Sequence, residues 1–254
     1  MSMTEKVEQL YVKSDTLSTR ISIHDKYSVN KYGFGNWVFD QYGLCEGAKV
    51  LELGCGTAVM WQNRKIPPGA TIVLSDFSPL MLQKATELLQ NNPAFSFRQI
   101  DIQEIPYGDA AFDVVIANHM LYHVPDKNKA LTEVRRVLKP GGIFYATTLG
   151  EMSLLELDDV CRKLEGKATF SYAKDISFTL ENGGDLLARY FTNVEQRQYI
   201  DALEVTNIDD IVAYKTSYNT MSDAVKDEFR RLIGEQFVDG VFRIRKEQGI
   251  FVCK

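Results

Sequence analysis

The chain has 254 residues and a formal net charge of −5, with 45% hydrophobic and 25% charged residues. Those proportions fit a folded chain with a sizeable core and exclude a disordered or fibrous one; the acidic balance also lacks the positive field that draws polyanions, which makes nucleic acid a disfavoured partner. Cys45, Cys55, Cys161 and Cys253 stand far apart, without the spacing of a metal site or a disulfide framework, and no apolar run reaches secretory or membrane-spanning length. The expected setting is the cytoplasm, with no metal and no membrane partner, and with monomer and homodimer both open.

Residues 1–45 read as an N-terminal helical layer with Tyr11, Tyr27, Tyr32, Phe34, Trp37, Phe39 and Tyr42 interleaved. Gly33 and Gly35 each cost a helix about 1 kcal/mol against alanine, so two pieces are expected. The layer serves either as packing on the domain edge or as a lid over a ligand.

From residue 49 the pattern changes to short apolar runs alternating with helical periodicity, the signature of βαβ units and a mostly parallel sheet. Lys49–Leu53 is a predicted strand, followed by Gly54–Cys55–Gly56–Thr57–Ala58 and a helix start around Val59–Trp61. Thr71–Ser75 is the second strand, ending at Asp76 and Phe77. Ser78 supplies an N-cap oxygen and Pro79 a first-turn residue for the next helix, which Asn91–Asn92–Pro93 ends. Phe95–Ile100 and Phe112–Ala117 are the third and fourth strands, finished by Asp101 and Asn118. A helix near Pro125–Leu138, a turn at Lys139–Gly142 and a fifth strand at Ile143–Thr148 follow.

The alternation then breaks. Residues 151–190 hold helix candidates at Leu154–Leu164 and Asp185–Phe191 and read as a cap inserted over the carboxyl ends of the strands. Val194–Val205 is strand-like, Asp209–Tyr218 and Asp223–Phe237 are helical, and Val241–Arg245 with Ile250–Cys253, split by Lys246–Gly249, form a predicted hairpin. The expected organisation is one domain over 1–254: the helical layer to 45, a core over 46–150, the cap over 151–190, and the rest of the core over 191–254.

The glycine turn carries the functional argument. Gly54 and Gly56 let backbone turn tightly and approach a ligand where a Cβ would obstruct, and Asp76, about twenty residues on, can accept from ribose hydroxyls. Asp101 can accept from an exocyclic amine, Ile102 can cover an adenine face, and Asn118 falls beside the turn in a sheet ordered 3-2-1-4-5. An adenosine-type ligand at the switch point of that sheet is the expectation; the alternative is a tight turn with Asp76 as a helix-entry carboxylate.

Val50–Thr57 (VLELGCGT), Leu74–Ser78 (LSDFS), the Asp101–Ile102 pair, Ala111–Asn118 (AFDVVIAN) and Leu138–Gly142 (LKPGG) resemble the successive motifs of the class I S-adenosylmethionine (SAM)-dependent methyltransferases, especially their small-molecule type 11 branch. The resemblance covers roughly residues 46–150. It implies an α/β, Rossmann-like seven-stranded mostly parallel sheet of order 3-2-1-4-5-7-6 with an antiparallel last strand, helices on both faces and a helical cap. It also implies SAM as cofactor, held by Glu52, Gly54, Cys55, Gly56, Asp76, Phe77, Met81, Asp101, Ile102 and Asn118, and a small-molecule acceptor methylated on oxygen, nitrogen or carbon. Ala58 departs from the family's frequent third glycine, and altered packing is expected there.

The SAM methyl group is already electrophilic, so alignment of the nucleophile and exclusion of water are the main requirements, with a general base needed only for an acceptor that keeps its proton. His119 is the candidate base or orienting group, against the alternative of a loop histidine. His24, Tyr27, Trp37, His123, Tyr214 and Tyr218 are candidates for the acceptor pocket, against the alternative of core packing. The rival functions are a non-catalytic SAM-binding protein and an NAD-dependent Rossmann dehydrogenase.

Overall fold

The computed structural model describes residues 22–164, 177–217 and 221–254. Seven strands form one sheet of order β3-β2-β1-β4-β5-β7-β6, as expected. They are β1 (Lys49–Leu53), β2 (Thr71–Asp76), β3 (Phe95–Gln99), β4 (Phe112–Asn118), β5 (Leu138–Leu149), β6 (Val194–Val205) and β7 (Phe242–Cys253). The helices are α1 (Phe34–Gln41), α2 (Pro79–Leu89), α3 (Lys127–Val137), α4 (Leu155–Arg162), α5 (Gly183–Leu187), α6 (Ile208–Thr216) and α7 (Asp223–Gly234).

The β1–β2, β1–β4, β2–β3 and β4–β5 pairs are parallel. Asn193 and Lys254 exchange both backbone hydrogen bonds, at 2.9 and 3.1 Å, the mark of an antiparallel pair, so β7 runs against β6. The predicted terminal hairpin is thereby corrected: Lys246–Gly249 is the middle of one twelve-residue strand, because the Lys246 ammonium finds buried partners in Asp201 and Ser28 instead of turning out to water. Lys139–Gly142 is likewise absorbed into β5. The register moves from Phe112↔Leu138 to Val114↔Ile143, so the extra residues bulge without ending the strand. The helix start expected near Val59 amounts to a single 3₁₀ turn, Val59–Trp61.

Two compact units make up the described chain. The first comprises the described residues of Met1–Gly33, Leu149–Ser177 and Tyr199–Gln248; the second comprises Phe34–Thr148, Phe178–Gln198 and Gly249–Lys254.

In the second unit, side chains alternate across the sheet. Val50, Ile72, Val114, Ile116, Tyr145, Ile250 and Val252 share a core with Val38 of α1, Trp61, and Ala85 and Leu89 of α2. Helix α2 begins as expected, with Ser78 Oγ accepting from Met81 N and proline in the first turn; in α3, Asp126 plays the same capping part toward Lys129 N.

The first unit has its own core, in which Leu157 and Val160 of α4, Ile211 and Tyr214 of α6, and Phe229 and Ile233 of α7 pack with Leu203 and Ile244. Residues 22–27 are helical, and α1 opens at Phe34, directly after Gly33 at φ 85°. The break expected at the glycines is therefore present. Tyr11 and Tyr218 lie outside the described residues.

Candidate functional site

The glycine turn follows β1 within the second unit. Gly54 has φ 71°, and a Cβ there would lie 2.9 Å from Met120 Cβ; Gly56 has φ 57° with nothing within 4 Å of its Cβ position. Only glycine occupies the left-handed region without penalty, so both positions need it, and the second also leaves open space beside backbone. Ala58 has φ 57° and ψ 20°, so the residue replacing the family's third glycine holds a left-handed turn that strains its methyl-bearing Cα.

Asp76 joins the strand ends. Its Oδ2 accepts from Gly56 N at 2.8 Å and its Oδ1 from Ser78 N at 2.8 Å. Burial raises its carboxyl pKa, partly offset by those backbone donors. Ser78, Gly56 and Phe77 are three backbone donors to a carboxylate with about four lone-pair sites, so accepting capacity is left over. Cys55 N donates to Ser75 O at 2.8 Å, and Ile100 N to Asp76 O at 3.3 Å, which sets the turn, Asp76 and the end of β3 side by side. Asp101 accepts from Gln103 N at 2.8 Å in a tight local turn. Ile102 and Met81 are buried, whereas Phe77 is 42% exposed. The Cys55 thiol is pushed far above its ordinary range by burial and by the Glu52 and Asp76 carboxylates, so it is a packed thiol and no nucleophile.

Sequence reasoning found Glu52 but missed its surroundings. Glu52 is 2% exposed, accepts from Trp61 Nε1, and accepts from Asn118 Nδ2 at 2.7 Å. Asn118 and the Tyr42 hydroxyl lie within hydrogen-bond distance, and Thr147 Oγ1 donates to Asn118 Oδ1 at 3.3 Å. Burial pushes the Glu52 carboxyl up to about 7, with the Trp61 and Asn118 donors holding back part of the rise. Burial and the Glu52 charge raise Tyr42 well above an ordinary phenol. The available signal was an acid inside the apolar run KVLEL, since a buried carboxylate needs donors from elsewhere in the chain.

His119 follows β4 at φ 48°, with its N–H donating to Thr147 Oγ1 at 3.0 Å and its ring 5.2 Å from Phe34. Trp37 stacks on Phe34 at 5.9 Å. His123 ends a 3₁₀ turn ahead of α3 and lies edge-on to Tyr122; burial and the nearby Lys127 lower its pKa to about 4. In the first unit, His24 packs edge-on against Tyr214 at 6.0 Å, and the buried Tyr27 donates to Asp210. The proposed pocket residues thus divide between the units, with Trp37, His119 and His123 in one and His24, Tyr27 and Tyr214 in the other. Among the described residues no cluster able to hold a metal ion occurs, and no helix is long and apolar enough to cross a membrane.

Residues 51–146 match the family model described as a methyltransferase domain. The resemblance drawn from its motifs is borne out. The chain is similar to the malonyl-[acyl-carrier protein] O-methyltransferase of Serratia marcescens, 33% identical over 124 residues covering 48% of this chain and 46% of that protein. It is also similar to the ubiquinone/menaquinone biosynthesis C-methyltransferase UbiE of Idiomarina loihiensis, 33% identical over 111 residues covering 42% and 44%. The matched segment spans less than half the length of either relative. A phosphoethanolamine N-methyltransferase 2 from Haemonchus contortus, solved with phosphomonomethylethanolamine and S-adenosylhomocysteine, shares the fold with a TM-score of 0.61, 16% identity, and coverage of 100% of this chain and 60% of that one. The segment matched by the family model runs from β1 into β5 of the sheet, whose order is the one the resemblance implied.

Proposed function

We propose that the protein is a SAM-dependent methyltransferase that holds SAM at the carboxyl ends of β1 to β4 and methylates a small-molecule acceptor on oxygen, nitrogen or carbon. The supporting observation is the Asp76 carboxylate bound to Gly56 N, which places an acid and a Cβ-free backbone at the switch point of the sheet. The residues present fit the group: Gly56 leaves room beside the chain, and Asp76 keeps lone pairs for a ribose diol.

On this reading Gly54, Cys55 and Gly56 pass the methionine portion, and Glu52, anchored by Trp61 and Asn118, supplies negative charge for a cationic amino group. Phe77 and Met81 flank the nucleoside, while Asp101 and Ile102 hold adenine. SAM supplies an electrophilic methyl group, so the chain contributes alignment and water exclusion. His119, set by Thr147 and Phe34, orients the acceptor or takes its proton. Trp37 and His123, which share the unit of His119, are the acceptor-pocket residues of this reading, and the protein acts in the cytoplasm.

Calorimetric titration with S-adenosylhomocysteine tests the reading. Tight binding is expected for the wild type, at least about tenfold weaker binding for Asp76→Ala, and no binding of NAD. Unchanged affinity in Asp76→Ala would remove the ribose contact, and a preference for NAD would turn the assignment toward a dehydrogenase.

A further inference from the structure

Tyr42 directly follows α1 and is 7% exposed. It belongs to the second unit together with Glu52, Trp61, Asn118 and Tyr145, so its contacts with them fall within one compact body. Its ring stacks on Trp61 at 6.1 Å and tilts against Tyr145 at 5.1 Å. The Tyr145 hydroxyl in turn accepts from the next backbone N–H, that of Gly43, at 3.0 Å. Aromatic packing therefore aims the phenol independently of the polar bonds it makes.

The phenol is aimed at Asn118. Its oxygen accepts from Asn118 Nδ2 at 2.7 Å and lies 3.0 Å from Asn118 Oδ1. The same Nδ2 donates to Glu52 Oε1 at 2.7 Å. A side-chain amide nitrogen carries two protons, so one is committed to Glu52 and the other to Tyr42. The second Glu52 oxygen is held by Trp61 Nε1.

This division matters to the carboxylate. A buried donor that loses its partner costs the full price of its desolvation and is drawn to whatever acceptor lies in reach. Without the phenol oxygen, the acceptors beside Asn118 Nδ2 are Met60 Sδ at 3.5 Å, which accepts weakly, and Glu52. The amide would turn further onto Glu52 and occupy lone pairs that a cationic ligand group needs. We propose that Tyr42 is a positioning residue for SAM: by taking one Asn118 amide proton, it limits that amide to a single bond with Glu52 and leaves the carboxylate open to the cofactor's amino group. The proposal rests on the methyltransferase reading above and adds to it a residue of the helical layer.

The test uses the full chain with Tyr42→Phe, Asn118→Ala and the double variant. Calorimetric titrations compare S-adenosylhomocysteine, which carries the amino-acid end, with 5′-methylthioadenosine, which lacks it. Phenylalanine keeps the ring between Trp61 and Tyr145, so Tm is expected to stay within about 4 °C of the wild type. S-adenosylhomocysteine is expected to bind at least about tenfold more weakly to Tyr42→Phe, with methylthioadenosine unchanged. In the Asn118→Ala background, adding Tyr42→Phe is expected to change S-adenosylhomocysteine affinity by less than about twofold, because the phenol acts through the amide. Equal weakening of both ligands would reduce Tyr42 to a structural role, and a further tenfold loss in the Asn118→Ala background would show that it acts without Asn118; each overturns the proposal. Wild-type protein that binds neither ligand would overturn the methyltransferase reading and this proposal together, whereas undiminished S-adenosylhomocysteine affinity in Tyr42→Phe overturns this proposal alone.

Discussion

Glu52 and His123 bias folding in opposite directions with pH, and separating them is a stringent test of the buried network. The folded Glu52 carboxyl lies at about 7 against an ordinary 4.5. Between those values the folded chain holds a proton that the unfolded chain has released, so stability falls as pH rises through the window, by about 3 kcal/mol in all. His123 is depressed from 6.5 to about 4. There the unfolded chain holds the extra proton, and stability rises with pH across that interval by a comparable amount. The two slopes nearly cancel from 4.5 to 6.5, leaving only the Glu52 decline around neutrality. Glu52→Gln is expected to unmask the histidine rise and then level off, whereas His123→Gln is expected to show an unbroken decline to neutrality. For a chain of this size 1 kcal/mol moves Tm by roughly 2–4 °C, so each variant profile should shift by about 10 °C, in opposite directions, and the two should diverge by about 20 °C in calorimetric melts. A Glu52→Gln profile parallel to that of the wild type would refute the burial-driven shift.

The two turn glycines should separate by mechanism. Gly56→Ala meets only left-handed strain, about 1–2 kcal/mol, while Gly54→Ala adds a collision with Met120 and should melt several degrees lower still; equal melts would show that Met120 yields freely. Ala58→Gly should gain about 1 kcal/mol by relieving the strain at φ 57°, and a loss of stability would mean that its buried methyl outweighs the backbone. Lys246→Ala strands the fully buried Asp201 carboxylate and should cost about 3–5 kcal/mol, with Asp201→Asn in the same background recovering part of it; no recovery would argue that the lysine stem, and not the charge, does the stabilising.

The parts of the fold legible in the sequence are those decided locally. The apolar runs around Val50, Ile72 and Val114, the Ser78 cap and the glycine turn each report nearby backbone requirements, and each element formed close to its expected place. The meeting of Gly56 with Asp76 followed from the same logic, since adjacent parallel strands bring successive carboxyl ends together. What escaped depends on partners far along the chain. Lys246–Gly249 has the composition of a turn, and only Asp201 and Ser28 make it the interior of a strand. Glu52 looked like part of a motif, yet its protonation is set by Trp61 and Asn118. Tyr42, read as one more aromatic of the helical layer, proved to be tied to Asn118. Likewise, the spacing of aromatics gave no sign of which of them would share a unit.

The strand order has a consequence for biosynthesis. Because β7 lies between β5 and β6 although it is the last of the seven in the chain, β6 leaves the ribosome before the neighbour that admits it to the sheet exists. Until β7 is made, the outer edge of β5 and the inner edge of β6 lack that partner, and unpaired edges invite intermolecular pairing. Slow translation after residue 205 would prolong that exposure, and truncations within β7 should partition into aggregates more readily than truncations of the same length within an exposed loop.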